Sequence, residues 1–190
     1  LKIFLKKIEF LIKIKLFSAK WCTPLHKITT NLNQNCYYLP FTVKQKKYVR
    51  KLNNKIRILI IGKFQDRKNQ ILAIKILKNL ITKYNLEITI VGELSTKEHE
   101  KNFNNINLYI NENNLLEKIK LFTNIDHKKM NEFYLKNDIF FLPSYNEPAS
   151  ISILEAMSYG LPSICHISCG TKTYIKKNYN GYVLETLDVK

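Results

Sequence analysis

Runs of apolar residues that end at a glycine or a proline recur along the chain from residue 55 onward. The first run, Ile56 to Ile61, ends at Gly62, and the second run, Ile88 to Val91, ends at Gly92. Short continuous apolar runs of this kind are typical of strands that are buried on both faces. Further strands are predicted at Ile119 to Phe122, Asp138 to Leu142, Ser163 to Cys165 and Tyr182 to Leu184.

Between these runs, apolar residues recur at the spacing of an amphipathic helix. The spacing predicts helices over Asn69 to Tyr84, near Ile106 to Leu116, from an Asp126 cap to Lys136, and over Ile151 to Tyr159. Strands that alternate with helices form right-handed βαβ units, which build a parallel sheet covered on both faces. We therefore expect residues 51–190 to form an α/β, Rossmann-like domain that binds its ligand beyond the carboxyl ends of the strands.

The first fifty residues have a different pattern. Leu1 to Phe17 combines lysines with apolar residues that share one helical face, whereas Ser18 to Arg50 is rich in turn-forming residues. A basic amphipathic segment suits either a membrane surface or the face of another protein domain, and the sequence leaves both open. We expect residues 1–50 to be a linker and the remnant of an N-terminal region.

The composition adds limits on function and location. The chain has 190 residues, of which 45% are hydrophobic, so it can bury a core. Its 31 Lys and Arg against 15 Asp and Glu give a net charge of +16, but the lysines accompany abundant Asn and Ile, and no nucleic-acid-binding motif is present. We expect no nucleic-acid partner. Four cysteines are too few for a disulfide framework, which indicates reduced thiols in the cytoplasm. No apolar run reaches the length of a membrane-spanning helix, about 18 residues.

The loop after the first predicted strand is a candidate anion site. Gly62 allows close approach of the backbone, and Lys63 and Lys68 flank the start of the next helix. A helix N-terminus carries partial positive charge and free N–H groups, so this loop suits a diphosphate. A solvated cationic loop in a basic protein remains the alternative reading.

Two glutamates follow the strand that ends at Leu142. Glu147 lies in the turn into the next helix, where Pro148 suits the first helical position, and Glu155 follows two turns later. Carboxylates accept hydrogen bonds from sugar hydroxyls, so this pair suits the ribose and the hexose of one extended ligand. Two glutamates at this separation also arise by chance. The sequence contains no set of metal ligands and no pairing of a nucleophile with a base, and His166 receives no role.

Taken in order, these stretches resemble the donor-binding half of a retaining glycosyltransferase of the GT-B type, in the glycosyltransferase 4 or glycosyl transferases group 1 family. The resemblance spans residues 37–186, and its stretches are G-K-F-Q-D-R-K-N at 62–69, I-T-I-V-G at 88–92, K-I-K-L-F-T-N at 118–124, D-I-F-F-L-P-S at 138–144, E-P-A-S-I-S-I-L-E-A-M at 147–157, G-L-P at 160–162 and N-G-Y at 180–182. The chain departs from the family pattern at Lys63, where Arg is frequent, and at Pro148, where glycine is commoner.

The resemblance implies a role for each matching residue. Lys63 and Lys68 would hold the donor diphosphate and stabilise the leaving nucleotide, and Glu147 would hydrogen-bond the transferred sugar. These three are the candidate catalytic residues. Glu155, the second carboxylate of the family's E-x7-E motif, would bind the ribose. The other residues implied in donor binding are Gly62, Asn124, Ala149, Ser150 and Ile151.

The resemblance also implies the partners. The donor would be a nucleotide-diphosphate sugar, and the acceptor a glycan, a lipid-linked glycan or a small molecule. Family members generally need no metal, so we expect neither a metal nor a cofactor. GT-B enzymes bind the acceptor in an N-terminal domain, for which fifty residues are too few. We therefore expect a fragment that works with such a domain or with a partner chain, at a cytoplasmic location, with contact at the membrane face left open. The alternative is a non-catalytic subunit that binds nucleotide-sugar.

Overall fold

A computed structural model of the chain describes residues 21–23, 36–46, 48 and 54–188. The chain divides into two units after Thr42. In the first unit, strand β1 (Trp21–Thr23) pairs in parallel with strand β2 (Cys36–Tyr38). Neither strand was predicted, because turn-forming residues dominate that part of the sequence. The amphipathic segment Leu1 to Phe17 lies outside the described residues.

The second unit starts at Val43, earlier than the predicted boundary at residue 51. The contacts of Lys46 account for this difference. The Lys46 backbone N–H donates to the Ser158 carbonyl at 3.0 Å, and its ammonium group lies 5.8 Å from the centre of the Tyr159 ring. Residues just after Val43 are therefore attached to the last helix of the second unit.

Strands and helices alternate in the second unit as the sequence predicts. The strands are β3 (Ile56–Ile61), β4 (Leu86–Gly92), β5 (Ile119–Thr123), β6 (Ile139–Leu142), β7 (Ser163–His166) and β8 (Gly181–Leu184). The helices are α1 (Gln70–Lys83), α2 (Lys97–Glu112), α3 (Met130–Lys136) and α4 (Ile151–Ser158). Within the described residues, no helix is both long enough and apolar enough to cross a membrane.

All six strands of the second unit are parallel, in the order β5-β4-β3-β6-β7-β8. The direction of strand order reverses between β3 and β6, which are neighbours in the sheet. In open α/β sheets a ligand crevice forms at this reversal, outside the carboxyl ends of the two strands. The predicted Rossmann-like architecture is confirmed, and the loops after β3 and β6 lie at its expected ligand site.

The two faces of the sheet hold two hydrophobic clusters. Ile58 and Ile60 of β3 belong to the cluster that also contains buried residues of α1 and α2. Leu59, which points to the opposite face, belongs to the cluster with buried residues of α3 and α4. Each of these three β3 side chains is at most 6% exposed. Burial of one such side chain contributes about 1.5–3 kcal/mol, so the central strand is anchored from both sides.

An ion pair joins the amino ends of β3 and β6. Asp138 accepts hydrogen bonds from the Arg57 backbone N–H at 2.9 Å, from Nε at 2.9 Å and from Nη2 at 3.0 Å. The hydrogen bond to Asp138 raises the pKa of the Arg57 guanidinium. Asp138, predicted as the first residue of its strand, precedes β6 and instead fixes the position of β6 beside β3.

Helix α2 begins well before the predicted stretch near Ile106 to Leu116. It starts after Thr96, whose hydroxyl accepts a hydrogen bond from the His99 backbone N–H at 3.2 Å. Only a narrow stripe of α2 is buried, formed by His99, Ile106 and Ile110. The exposed polar residues of the first turns therefore concealed the helical spacing.

Candidate functional site

The loop after β3 is held tightly against the start of α1. The Gln70 side-chain amide is buried and donates to the carbonyls of Gly62 at 3.1 Å and Lys63 at 2.8 Å. The Lys68 stem packs against Gly62: a Cβ atom placed on Gly62 would lie 3.1 Å from Lys68 Cδ. Asn69, the residue before α1, adopts a left-handed backbone with φ of 51°. This turn sets the direction in which Lys68 leaves the loop.

A buried carboxylate faces this loop from the end of β6. Glu147 accepts hydrogen bonds on Oε2 from Arg67 Nη1 at 2.8 Å and from Lys68 Nζ. The Tyr145 N–H donates to the Arg67 carbonyl at 3.0 Å, and the Gly170 N–H donates to the Glu147 carbonyl at 2.8 Å. Two cations and one backbone hydrogen bond therefore hold the loops on either side of the strand reversal together, and the second backbone hydrogen bond ties the Glu147 loop to the loop after β7.

Arg67 is a member of this cluster that the sequence did not single out. It lies in the cationic loop that was proposed to bind a diphosphate, but its contact with Glu147 spans 80 positions of the chain. Such a contact depends on β3 and β6 being neighbours, which the strand pattern does not reveal. The structure thus brings Lys68 and Glu147 together and adds Arg67.

Lys63 lies on the other side of the loop. Its ammonium group pairs with Glu93 Oε2 at 2.9 Å, in the loop after β4, and both side chains are about half exposed. Glu93 also accepts a hydrogen bond from the Ser95 hydroxyl. These two contacts, with the Ser95 hydroxyl first, lower the pKa of Glu93. The structure therefore does not place Lys63 on the Glu147 carboxylate that Lys68 contacts.

A cavity of about 340 Å³ opens between the carboxyl ends of β3, β4 and β5. Four of the predicted donor-binding residues line it together: Gly62, Lys63, Asn124 and Glu155. Tyr134 of α3 also lines it and donates from its hydroxyl to Glu155 Oε2 at 2.7 Å. Burial raises the pKa of Tyr134, so this hydroxyl keeps its proton at ordinary pH. Tyr134 was missed because the sequence showed it only as an apolar residue of a helix.

The polar atoms of Asn124 are engaged within the protein. Its side-chain oxygen accepts from the Leu94 N–H at 2.8 Å, and its side-chain nitrogen donates to the Leu94 carbonyl at 2.9 Å. The backbone of Asn124 is left-handed, with φ of 52°. Asn124 thus ties the loop after β5 to the loop after β4 and shapes the wall of the cavity.

The start of α4 lies between Glu147 and Glu155. Ser150 is buried before the first turn and shares a hydrogen bond with the Ser152 hydroxyl at 2.8 Å, whereas Ile151 is half exposed and Ala149 is partly exposed. The N–H groups of a first helical turn have no partner within the helix. The start of α4 therefore offers backbone N–H donors at positions that lie between Glu147 and Glu155 in the sequence.

His166 supports the loop that carries Glu147 through a chain of hydrogen bonds. His166 is buried and its Nε2 contacts the Glu185 carbonyl at 3.2 Å, so Nε2 must carry the proton, since a carbonyl can only accept. Nδ1 then accepts from Ser168, whose hydroxyl in turn accepts from the Asn146 N–H at 2.9 Å. His166, to which the sequence gave no role, helps to position the residue before Glu147.

The residues that form this site lie in a part of the chain that matches a family profile. The profile of the family described as Glycosyl transferases group 1 matches residues 42–190. The chain belongs to this family. The match covers the whole second unit, including the loops that carry Lys68, Glu147 and Glu155.

Known relatives of this glycosyltransferase-family chain agree with the assignment. It is 31% identical over 130 residues to Protein CapJ of Staphylococcus aureus. The aligned region covers 67% of this chain and 32% of CapJ. Among solved structures, a glycosyltransferase from Rickettsia africae ESF-5 superposes with a TM-score of 0.77 at 17% identity, over 95% of this chain and 53% of that one. Anabaena Alr3699/HepE, solved in complex with UDP and glucose, gives a TM-score of 0.62 at 15% identity, over 72% of this chain and 36% of that one.

These structural likenesses show the fold of this family member. The six-stranded parallel sheet with flanking helices is the Rossmann-like half of a GT-B glycosyltransferase, as predicted. The chain spans about a third of the length of CapJ.

A larger groove lies elsewhere among the described residues. A cavity of about 480 Å³ runs between α3 and the strands β4 and β5, beside the first residues of β3. Two of its three lining cations are paired within the protein: Arg57 binds Asp138, and Lys136 binds Glu132 at 3.0 Å. Because a ligand of this fold binds at the carboxyl ends of the strands, the smaller cavity beside Lys63 and Glu155 is the better candidate site.

Proposed function

We propose that this chain is the donor-binding half of a retaining glycosyltransferase of family 4. It holds a nucleotide-diphosphate sugar while the sugar moves to a glycan, a lipid-linked glycan or a small-molecule acceptor. The observation that carries the proposal is the buried Glu147 carboxylate beside Lys68 and Arg67, at the strand reversal where this fold binds nucleotides. A carboxylate accepts hydrogen bonds from sugar hydroxyls, and a cation binds a diphosphate. A nucleotide-diphosphate sugar therefore needs a carboxylate and a cation side by side.

Each residue of the site has a chemical part in this proposal. Cleavage of the bond between sugar and diphosphate leaves negative charge on the diphosphate, which Lys68 stabilises from one side and Lys63 from the other. Glu147 accepts hydrogen bonds from the transferred sugar. Glu155, held by the Tyr134 hydroxyl, accepts from the ribose. The N–H groups around Ala149, Ser150 and Ile151 face the phosphates. The complex of HepE with UDP and glucose supports this class of donor.

In this proposal the diphosphate is neutralised by lysines, so transfer needs no bound metal. Chelation then has no effect: the affinity for UDP, measured by titration calorimetry, is the same with and without 5–10 mM EDTA, where about 5–10 mM is ample to strip a site of micromolar affinity. A loss of binding on chelation that is restored by magnesium would contradict this part of the proposal.

The acceptor is bound by an N-terminal domain or by a partner chain in this proposal, because the chain spans 32% of CapJ and 41% of a second curated relative. The described thiols of Cys165 and Cys169 are free, which supports a reducing, cytoplasmic location. Contact of the basic segment 2–15 with the cytoplasmic membrane face belongs to the same proposal.

Titration of UDP, GDP and ADP into the purified chain tests the donor site. At least one of the three is expected to bind and to raise the melting temperature, because a ligand at one hundred times its dissociation constant stabilises by about 2.7 kcal/mol. Binding of none of the three, with none of their sugar derivatives active in a thermal-shift screen, would contradict the proposal.

A second candidate function is a non-catalytic subunit that binds nucleotide-sugar beside a catalytic partner. The two are separated by Glu147→Ala in the natural full-length protein or complex. Transfer is abolished if this chain supplies the catalytic site, and it is unchanged if the chain only binds the donor.

A further inference from the structure

One buried carboxylate contacts two of the three cations in the loop after β3, Arg67 and Lys68. Arg67 Nη1 and Lys68 Nζ both donate to the same oxygen of Glu147, Oε2. The Glu147 side chain is 8% exposed and that of Lys68 is 12% exposed, so the charges attract strongly across a region with little water. Lys68 is therefore held by Glu147 in a hydrogen-bonded ion pair.

The proposed donor needs the same lysine. A diphosphate that takes the Lys68 ammonium group must compete with the Glu147 carboxylate for it, since both are anions that bind in the same place. Removing the only cation from a buried carboxylate is costly, because the charge is left without compensation. A second cation on Glu147 lowers that cost.

Arg67 has the position that this exchange requires. Its side chain is 46% exposed, so it can stay on Glu147 while Lys68 turns towards a ligand, and it approaches from the outside of the cluster. The Arg67 carbonyl accepts from the Tyr145 N–H at 3.0 Å, which fixes the Arg67 backbone to the loop that carries Glu147. A guanidinium group presents several donors in a fixed plane, so it can hold the carboxylate in one orientation.

We propose that Glu147 and the donor diphosphate compete for Lys68, and that Arg67 is the positioning residue that holds the Glu147 carboxylate in place when the diphosphate takes the lysine. This inference rests on the proposed function, because it assumes that a diphosphate binds at Lys68. The inference goes beyond that function, because it assigns Arg67 to the Glu147 carboxylate and not to the phosphates. Glu147 then opposes the binding of a diphosphate alone and favours a diphosphate that carries a sugar.

A double-mutant cycle on the purified chain tests this assignment, with UDP, GDP, ADP and inorganic pyrophosphate as probes. In the wild-type background, Arg67→Ala is expected to weaken binding about fivefold or more, because Glu147 no longer releases Lys68. Glu147→Gln is expected to tighten pyrophosphate binding about threefold or more, because Lys68 is no longer engaged by a carboxylate. In the Glu147→Gln background, Arg67→Ala should change binding by less than about twofold.

Equal losses from Arg67→Ala in both backgrounds would overturn the proposal, because they would make Arg67 a direct ligand of the phosphates. Binding of none of the four probes to the wild-type chain would remove the proposed function itself, so the two failures are distinguishable. Arg67→Lys restores the charge and should recover most of the lost affinity. Lys101→Ala, which removes an exposed cation of α2, is the matched control for the change in net charge.

Glu147→Ala gives a second background that does not depend on Glu147→Gln folding. It removes the carboxylate, so Arg67→Ala in that background should again change the affinity for UDP and pyrophosphate by less than about twofold. A loss there as large as in the wild-type chain would contradict the role assigned to Arg67.

Discussion

Lys63 and Lys68 leave the same loop with the same charge, but they meet different surroundings. Lys68 is 12% exposed and contacts the buried Glu147, whereas Lys63 is 50% exposed and pairs with Glu93, which is itself half exposed. Exposed ion pairs contribute little because water and salt screen them, whereas a buried charge depends on its partner. Burial, and not charge alone, therefore decides how much each lysine contributes to stability and to ligand binding.

The largest effect is expected from Lys68→Met. It leaves Glu147 with Arg67 alone and removes the buried cation for the diphosphate, so UDP affinity should fall about thirtyfold or more. The free energy of unfolding should fall by about 2 kcal/mol, because a buried carboxylate loses one of two partners. Calorimetry and chemical denaturation measure the two effects. Unchanged stability and affinity would show that the Glu147 cluster contributes no more to folding and binding than the exposed Lys63–Glu93 pair does.

A pair of glycine variants probes the two sides of the loop. A Cβ on Gly92 would lie 2.4 Å from the Phe64 ring and 2.8 Å from the Gly62 carbonyl, so Gly92→Ala should destabilise the fold by about 2 kcal/mol. A Cβ on Gly62 meets only the flexible Lys68 stem, at 3.1 Å. Gly62→Ala should therefore cost less than about 1 kcal/mol while weakening UDP binding, because it displaces Lys68. Denaturation and calorimetry on both variants check this; the reverse order of stabilities would contradict it.

Tyr134→Phe separates the ribose end of the site from the diphosphate end. It removes the hydroxyl that holds Glu155, so stability should fall by about 1 kcal/mol. UDP affinity should fall about threefold, the effect of one weakened hydrogen bond, while pyrophosphate affinity stays the same. Equal losses for the two ligands in calorimetry would place Tyr134 and Glu155 at the diphosphate end instead.

The smallest effect is expected from Lys63→Met. Because Lys63 and Glu93 are half exposed, the melting temperature should not change, and UDP affinity should fall by no more than about fivefold at low salt. That difference should vanish in 1 M NaCl, where the screening length is about 3 Å. A loss as large as that of Lys68→Met, or one that survives high salt, would break the distinction between the two lysines.

The sequence predicted the strand-and-helix alternation because the central strands β3, β4 and β6 are mostly buried and stop at Gly62, Gly92 and Pro143. Ile56 to Ile61 before Gly62 reads as a buried strand without any knowledge of its neighbours. Helix α2 was predicted too late because its buried stripe is narrow. Thr96 with Glu98 and Glu100 in the first turn was a capping signal that could have placed its start.

The contacts within the site were beyond the reach of sequence reasoning. Glu147 and Lys68 were named as site residues, but their ion pair, and the part of Arg67 in it, depend on β3 lying beside β6. Asn124 was named as a donor-binding residue, but the two hydrogen bonds of its side-chain amide to Leu94 were not foreseen. Long-range pairing of this kind follows from strand order, which local spacing does not encode.

We expect a nucleoside diphosphate to bind at the carboxyl ends of the strands, with its phosphates between the loops after β3 and β6 and its ribose in the cavity beside Glu155. A crystal structure of the chain with whichever of UDP, GDP and ADP binds most tightly tests this placement. It should show a phosphate oxygen in hydrogen-bond contact with Lys68 Nζ, the ribose at Glu155, and Arg67 still on Glu147. A nucleotide bound in the groove of Arg57 and Lys136, at the opposite ends of the strands, would contradict it.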